Sequence, residues 1–311
     1  MRPIIVTTKE AREDTMKLAI ASGKGGTGKT TVAVNLFHFL SKHYSLKTQL
    51  VDCDVEEPND LLFLHNYEFD SEDIATQLIP VIDNDKCSYC RKCVSYCEFN
   101  AIVVIPPVAF AEVNPSLCHS CGACIVACVD GAISENPLEI GRIRSYNGQE
   151  GVLTEGRLKI GSAMQTMLIK DTKQHALEHM DVIIFDAPPG TSCPVVETVA
   201  DADYVILVTE PTPFGLYDLR LTVEMLREIQ KPFGVIVNKA GIGDQKVQDF
   251  LSEQKIELLG EIPYSKTYAS KYATGDILNN ISMDTEIHYK SIIRKLMARY
   301  TRDEGDYNFK R

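Results

Sequence analysis

The chain has 311 residues, of which 44% are hydrophobic and 24% charged, with 19 glycines and 14 prolines. These are globular values that exclude a disordered, collagen-like or coiled-coil chain, and the length admits two domains. No run approaches the roughly 20 consecutive apolar residues of a membrane-spanning helix, and a net charge of −11 argues against a generic nucleic-acid binder, whose affinity comes from neutralising phosphates.

Residues 1–15 contain no apolar core of the kind a secretory signal needs, so they read as a mobile extension and the protein as cytoplasmic. A folded domain is expected from Met16 onward. Short β-branched runs at 18–22, 48–54, 182–186, 204–209 and 233–238 suit strands buried on both faces, and amphipathic stretches at 29–43, 215–230 and 245–254 suit helices between them. Strand–helix alternation predicts an α/β fold with a doubly wound, mostly parallel sheet.

The gap between the second and third of these strands is too long for a structureless loop. It holds eight of the ten cysteines, and an internal repeat accounts for it: Cys87, Cys90, Cys93, Cys97, Asn100, Ala101 and Ile102 recur 31 residues later as Cys118, Cys121, Cys124, Cys128, Gly131, Ala132 and Ile133. Residues 80–137, bounded by Pro80 and Pro137, are therefore expected to form an inserted α+β domain, with 16–79 and 138–300 making the sheet domain and 301–311 a tail. Residues 141–160, with Asn147-Gly148 between alternating side chains, read as a hairpin returning to the sheet.

Two motifs carry chemistry. Gly23-Lys24-Gly25-Gly26-Thr27-Gly28-Lys29-Thr30, followed by Thr31, satisfies G-x-x-x-x-G-K-[ST] between a predicted strand and a predicted helix. There the glycines let backbone N–H groups turn toward phosphate oxygens, Lys29 reaches the β- and γ-phosphates of ATP, and the Thr30 hydroxyl binds Mg²⁺. The second is C-x2-C-x2-C-x3-C, present twice. In that spacing the fourth cysteine ligates the other cluster, which gives one [4Fe–4S] cluster on Cys87, Cys90, Cys93 and Cys128 and another on Cys97, Cys118, Cys121 and Cys124. Two zinc sites, each held by four cysteines, are the alternative, but zinc pairs are typically separate C-x2-C knuckles without a third cysteine at the next interval.

A second lysine early in the loop, Lys24, resembles the deviant phosphate loop of the MinD/ParA/Mrp superfamily, which includes the nitrogenase iron protein. Asp52-Cys53-Asp54, Asp186-Ala187-Pro188-Pro189-Gly190-Thr191, Asn238-Lys239 and Gly260-Glu261-Ile262-Pro263 stand where that superfamily has its motifs, and the likeness runs over about residues 16–300 apart from the cysteine segment. The cysteine segment resembles a bacterial two-cluster ferredoxin, departing from it in having Glu98 and Val129 where a proline usually follows the last cysteine. The resemblance implies that Lys24 contacts phosphates across an ATP-dependent homodimer and that Asp54 positions the attacking water. It also implies that Asp186 holds Mg²⁺ through its water shell and that Asn238 and Pro263 contact adenine.

The implied function is an ATPase that couples turnover to electron transfer, or to iron–sulfur or metal-cofactor assembly, on a partner protein. Two other readings stay open: a positioning ATPase with redox-sensing clusters, and a ferredoxin module with a regulatory nucleotide site. Asp52 is either a functional carboxylate or a strand-end cap. Cys53 and Cys193, the seven histidines and the Asp201–Asp203 turn read as ordinary structure. The basic helix at 291–300 is expected to pack on the sheet rather than on a membrane.

Overall fold

In a computed structural model, residues 15–306 are described, with side chains through residue 299. The N-terminal extension before Thr15 and the last five residues of the tail lie outside the described residues. The chain divides into two units: one built from residues up to Ser71, Arg144–Gly156 and from Ile169 onward, the other from Glu72–Ile143 and Arg157–Leu168.

The first unit is an α/β sheet layered with helices. Its strands are β1 (Met16–Ala21), β2 (Thr48–Asp52), β7 (Gly151–Leu158), β8 (Val182–Asp186), β9 (Tyr204–Thr209), β10 (Phe233–Ala240) and β11 (Leu258–Pro263), in the order β11-β10-β9-β1-β8-β2-β7. Every one of these neighbouring pairs is parallel. The order reverses around β1: its flanks are β8 and β9, and β2 lies beyond β8. Ligands of such sheets bind outside the strand carboxyl ends at the reversal, which is where the loops after β1, β2 and β8 emerge.

The helix α1 (Lys29–Tyr44) is buried along most of its length, and Val32, Leu36, Phe37, Phe39 and Leu40 are sealed from solvent. Such a helix is stable only inside a core. The C-terminal helix (Met283–Asp306) covers the same core. Tyr289, Ile292 and Ile293 are fully buried, and the Tyr289 ring stacks on Phe39 at 5.4 Å between centroids. Its approach requires glycine on β11, because a Cβ at Gly260 would stand 2.6 Å from Ile292. The predicted basic helix is thus the middle of a longer one packed on the sheet domain's core. Among the described residues no helix is long and apolar enough to cross a membrane.

The second unit displays the repeat as a pseudo-twofold. The short helices α2 (Lys92–Ser95) and α3 (Ala123–Ala127) are equivalent, and β4 (Ile102–Ile105) pairs antiparallel with β5 (Phe110–Val113), Ile102 facing Val113 and Ile105 facing Phe110. Two hydrogen bonds tie the halves reciprocally: Asn114 N donates to Ala101 O at 2.7 Å, and Asp83 N to Ala132 O at 2.8 Å. The boundaries expected at Pro80 and Pro137 are not breaks. Both residues lie inside long strands, β3 (Glu68–Ile82) and β6 (Ile133–Gly148). β3 ends the strand order, where a missing N–H costs no ladder bond. Pro137 lies past the reach of β7, whose pairing closes with Lys159 N donating to Ile140 O at 2.8 Å. β6 and β7 join through Gly148 and Gly151, so the hairpin stands where the Asn147-Gly148 signal put it.

The sheet strands with continuous apolar runs need no tertiary information to be found. β3 and β6 do, since a stretch such as Glu68–Asp73 is exposed throughout and polar apart from Phe69.

Candidate functional site

The phosphate-loop sequence connects β1 to α1. Gly26 (φ 78°) and Gly28 (φ 94°, the residue capping α1) take left-handed backbone that glycine adopts without strain. At Gly28 space is closed as well: a Cβ there would lie 2.2 Å from Asn238 Nδ2. That amide donates to Thr27 O at 2.8 Å, so Asn238 latches the loop from the carboxyl end of β10 while still lining the same cleft. The cleft has a volume of about 410 Å³. Lys24, the loop from Gly25 through Thr31, Asp54, Asn238 and Pro263 all line it, together with Tyr264, Tyr268 and Tyr272, which the sequence reading did not single out.

Two lysines grip the loop through one carboxylate. Lys24 Nζ donates to Glu210 Oε1 at 2.7 Å; Lys239 Nζ donates to Glu210 Oε2 at 3.0 Å and to Gly26 O at 2.7 Å. Burial raises the Glu210 carboxyl, but the hydrogen bonds and charges of Lys24 and Lys239 outweigh it and hold the group below the usual glutamate range. Lys24 is therefore occupied within its own chain. On the expectation that Lys24 contacts phosphate, replacing Glu210 by glutamine removes a competing charge. A half-buried ion pair contributes about 1 kcal/mol, so ATP is expected to bind about fivefold more tightly to Glu210→Gln. Calorimetric titration checks this, and weaker binding would show that the carboxylate shapes the loop instead.

The carboxyl ends of β2 and β8 supply a buried acidic group. Asp52 faces Asp186 in register. Thr30 Oγ1 donates to Asp186 Oδ2 at 2.7 Å, Lys29 Nζ stands 3.9 Å from Asp186 Oδ1, and that Oδ1 is buried with no hydrogen-bond partner. Burial raises the Asp186 carboxyl, against Lys29 and Thr30. Asp52 accepts the N–H groups of Asp54 (3.0 Å), Asn59 (2.8 Å) and Asp60 (3.1 Å). Burial, then the Asp186 charge, pushes its carboxyl up to about 8 despite those donors. Asp52 is thus the brace of the loop that presents Asp54. Asp54 sits in the cleft wall, pushed up to about 6 by burial, with Lys29 opposing.

Sequence reasoning missed Asp60, which is fully buried with neither carboxylate oxygen hydrogen-bonded, and Glu210, and it quoted Lys239 without giving it a role. Glu210 and Lys239 had a usable signal, since both stand at the carboxyl ends of predicted parallel strands. Asp60 had none.

In the second unit the two crossed cysteine sets each surround their own hollow. Cys87, Cys90, Cys93 and Cys128 line one; Cys97, Cys118, Cys121 and Cys124 line the other. Backbone N–H groups aim at four of the sulfurs in symmetric pairs: Tyr89 N to Cys87 and Ser120 N to Cys118 at 3.4 Å, Ala101 N to Cys97 and Ala132 N to Cys128 at 3.3 Å. Aiming them requires left-handed backbone at equivalent positions: Tyr89, Arg91 and Asn100 in one half, Ser120, Gly122 and Gly131 in the other. Three of these are not glycine in the first half, so the geometry carries a strain of order 1 kcal/mol per residue there. All eight thiols are unbridged. Burial pushes Cys93 up, and Cys124 up to about 11. A cation that takes thiolates must repay that deprotonation. Among the described residues no three His, Cys, Asp or Glu side chains stand close enough together to hold a single metal ion; the thiols ring a space instead of meeting at a point.

The residues set aside in the sequence reading fall as follows. Cys53 is buried and Cys193 is exposed at the start of the helix Cys193–Ala200. Asp201 and Asp203 are engaged, not merely solvated: Asp201 pairs with Lys173 at 2.8 Å, and Asp203 accepts Lys17 N at 2.7 Å. His38 is buried and contacts Glu150 at 2.6 Å.

Comparisons with known proteins bear on the family and the fold. An uncharacterized protein of Methanocaldococcus jannaschii is 31% identical over 265 residues, covering 84% of this chain and 90% of the relative. A Pyrococcus horikoshii iron-sulfur cluster carrier protein is 26% identical over 264 residues, covering 79% and 73%. Among solved structures, the septum site-determining protein MinD of Pyrococcus horikoshii, complexed with Mg-ADP, superposes with a TM-score of 0.56 at 18% identity over 91% of this chain and 96% of its own, a likeness of fold. The family model described as the CobQ/CobB/MinD/ParA nucleotide binding domain matches residues 18–278, and the chain belongs to that family.

Proposed function

We propose that this protein is an ATPase carrying two [4Fe–4S] clusters, which couples ATP hydrolysis to electron delivery to a partner protein. The observation that supports it is the pairing of a family phosphate loop with two hollows, each lined by four thiols drawn from both halves of the repeat. The donor sets fit the groups. Soft thiolates with N–H···S bonds suit an iron–sulfur cluster, and the buried unbonded Asp186 Oδ1 beside the Thr30 hydroxyl suits Mg²⁺. The clusters supply one-electron storage, and Mg²⁺ supplies charge neutralisation at the phosphates.

The protein's own residues do the rest. The loop N–H groups and Lys29 hold the phosphate oxygens and carry the charge that develops on them. Asp54 orients a water against the γ-phosphorus and takes its proton as the new P–O bond forms and the bond to the β–γ bridging oxygen breaks, with ADP leaving. Lys24, once released from Glu210, is free to join a phosphate across an ATP-dependent dimer. The cysteine segment lies in the chain between Asp54 and Asp186.

A base must be ionised to accept a proton. The Asp54 carboxyl titrates at about 6, so kcat/KM is expected to be level above that and to fall tenfold per pH unit below it. A rate profile from pH 5 to 8 at fixed ionic strength checks this; no acidic limb near 6 removes Asp54 from that role.

The deciding experiment is anaerobic purification with iron and sulfide quantified, then phosphate release from the same sample with clusters oxidised and reduced. Colourless, zinc-loaded protein, or protein that binds no adenine nucleotide, ends the proposal. A second reading is favoured by the names of the relatives called iron-sulfur cluster carriers: assembly of a partner's cofactor. Under that reading an apo acceptor gains iron and sulfide from the loaded protein in an ATP-dependent manner, whereas fixed clusters stay in place.

A further inference from the structure

We infer that the two thiolate sites hold clusters of unequal reduction potential, the set Cys87, Cys90, Cys93 and Cys128 accepting an electron more readily than the set Cys97, Cys118, Cys121 and Cys124. This rests on the reading that each set holds a cubane.

Four of the N–H···S distances match between the sites pair by pair, 3.4 Å with 3.4 Å and 3.3 Å with 3.3 Å, and do not distinguish them. The difference lies in side chains at positions 31 apart. Ser88 and Asp130, hydrogen-bonded to each other, line the first hollow; at the same two places in the second stand His119 and Phe99, stacked at 3.9 Å between ring centroids with planes 18° apart. Arg91 and Lys92, exposed in the wall of the first hollow, are matched by Gly122 and Ala123 in the second.

Charge and solvent then act in one direction. Around the first set Lys86, Arg91 and Lys92 offset Asp83, Asp85 and Asp130. The equivalent residues of the second set carry no cation, and Glu98, next to Cys97, replaces Val129, next to Cys128. Reduction adds one negative charge to a cluster. It costs more beside an unbalanced carboxylate than beside a balanced set of charges. It also costs more where an aromatic stack displaces water than where a polar pair admits it.

The test is an anaerobic redox titration of the full chain with dithionite as the one-electron donor and dye mediators, followed by EPR. Two waves are expected, separated by about tenfold in reduction equilibrium, which for one electron is about 59 mV. The double variant Arg91→Gly/Lys92→Ala gives the first site the second site's residues. It touches no ligand, and Arg91 already has a backbone (φ 64°) that glycine accepts. It is expected to lower the upper wave toward the lower and leave the lower one in place. Phe99→Ala, which opens the second site to water, is expected to raise the lower wave alone.

Coincident waves in protein with two clusters counted by iron and sulfide overturn the inference while leaving the cluster reading intact. So does a double variant that moves neither wave, or that raises the upper one. Fewer than two clusters by that count overturns both.

Discussion

Asp54→Asn is expected to lower the rate of ATP hydrolysis by about 10²–10⁴-fold, the usual worth of a positioned acid or base, with nucleotide affinity nearly unchanged. Asparagine keeps the size and one acceptor oxygen but cannot take the proton from water. Affinity is preserved because the groups placed to hold the phosphates, Lys29 and the loop N–H groups, are untouched. The same substitution carries a second, opposite signature. Asp54 titrates at about 6 in the folded chain against an ordinary value of 3.8, raised by burial. A group whose folded pKa is raised contributes stability below its unfolded pKa, and that contribution is lost as pH rises through the folded value. At pH 7–8 the ionised carboxylate is therefore a destabilising element, and Asp54→Asn is expected to unfold at a higher temperature than the parent while hydrolysing far less ATP. Between pH 4 and 5 the difference in unfolding temperature should shrink, because the parent then holds its proton. A variant that loses activity and stability together would place Asp54 in the frame of the loop, alongside Asp52.

That contrast between Asp54 and Asp52 shows where sequence reading stops. Both carboxylates end a strand beside a phosphate loop, two residues apart; the sequence singled out Asp54 and left Asp52 open between a functional carboxylate and a strand-end cap. The structure separates them by hydrogen bonds: Asp52 spends its oxygens on three backbone N–H groups, whereas Asp54 lines the cleft. The motif glycines were legible because their conformation is local. The clasp of Lys24 and Lys239 on Glu210 was not, since it joins residues as far as 186 apart in the chain. Five strands of the parallel core, β1, β2, β8, β9 and β10, were legible because strands buried on both faces carry continuous apolar runs. The long strand β3 was not, nor was the part of β6 before the predicted hairpin: both contain a proline and polar exposed stretches, and the free edge beside each proline explains why they persist. In the cysteine segment the repeat was visible letter by letter, yet its equivalent positive-φ residues, Tyr89 and Ser120 among them, carry no turn signature of their own.

Crossed ligation has the largest consequence for the second unit, and paired substitutions separate it from the uncrossed arrangement. If Cys128 completes the set of Cys87, Cys90 and Cys93, then Cys87→Ala/Cys128→Ala strips two ligands from one site and none from the other. Half the iron and sulfide should remain, with one undisturbed EPR signal. Cys87→Ala/Cys97→Ala removes one ligand from each site and should disturb both signals. Uncrossed ligation, each half keeping its own four cysteines, reverses the two results. The structure favours the crossed outcome because each hollow is lined by three cysteines of one repeat and the fourth of the other. The energetic consequence follows from connectivity. A fourth thiolate from the opposite half turns each cluster into a cross-link between the repeats, and cross-links act chiefly by restricting the unfolded chain. A variant lacking one cluster should therefore lose cooperativity in the cysteine unit before the sheet unit, read as an early transition in thermal unfolding that wild-type protein with both clusters lacks. Anaerobic unfolding of the two double variants side by side checks this, and a single unchanged transition in both would mean that the small core around Ile102, Val104 and Val113 holds the halves together without help from metal.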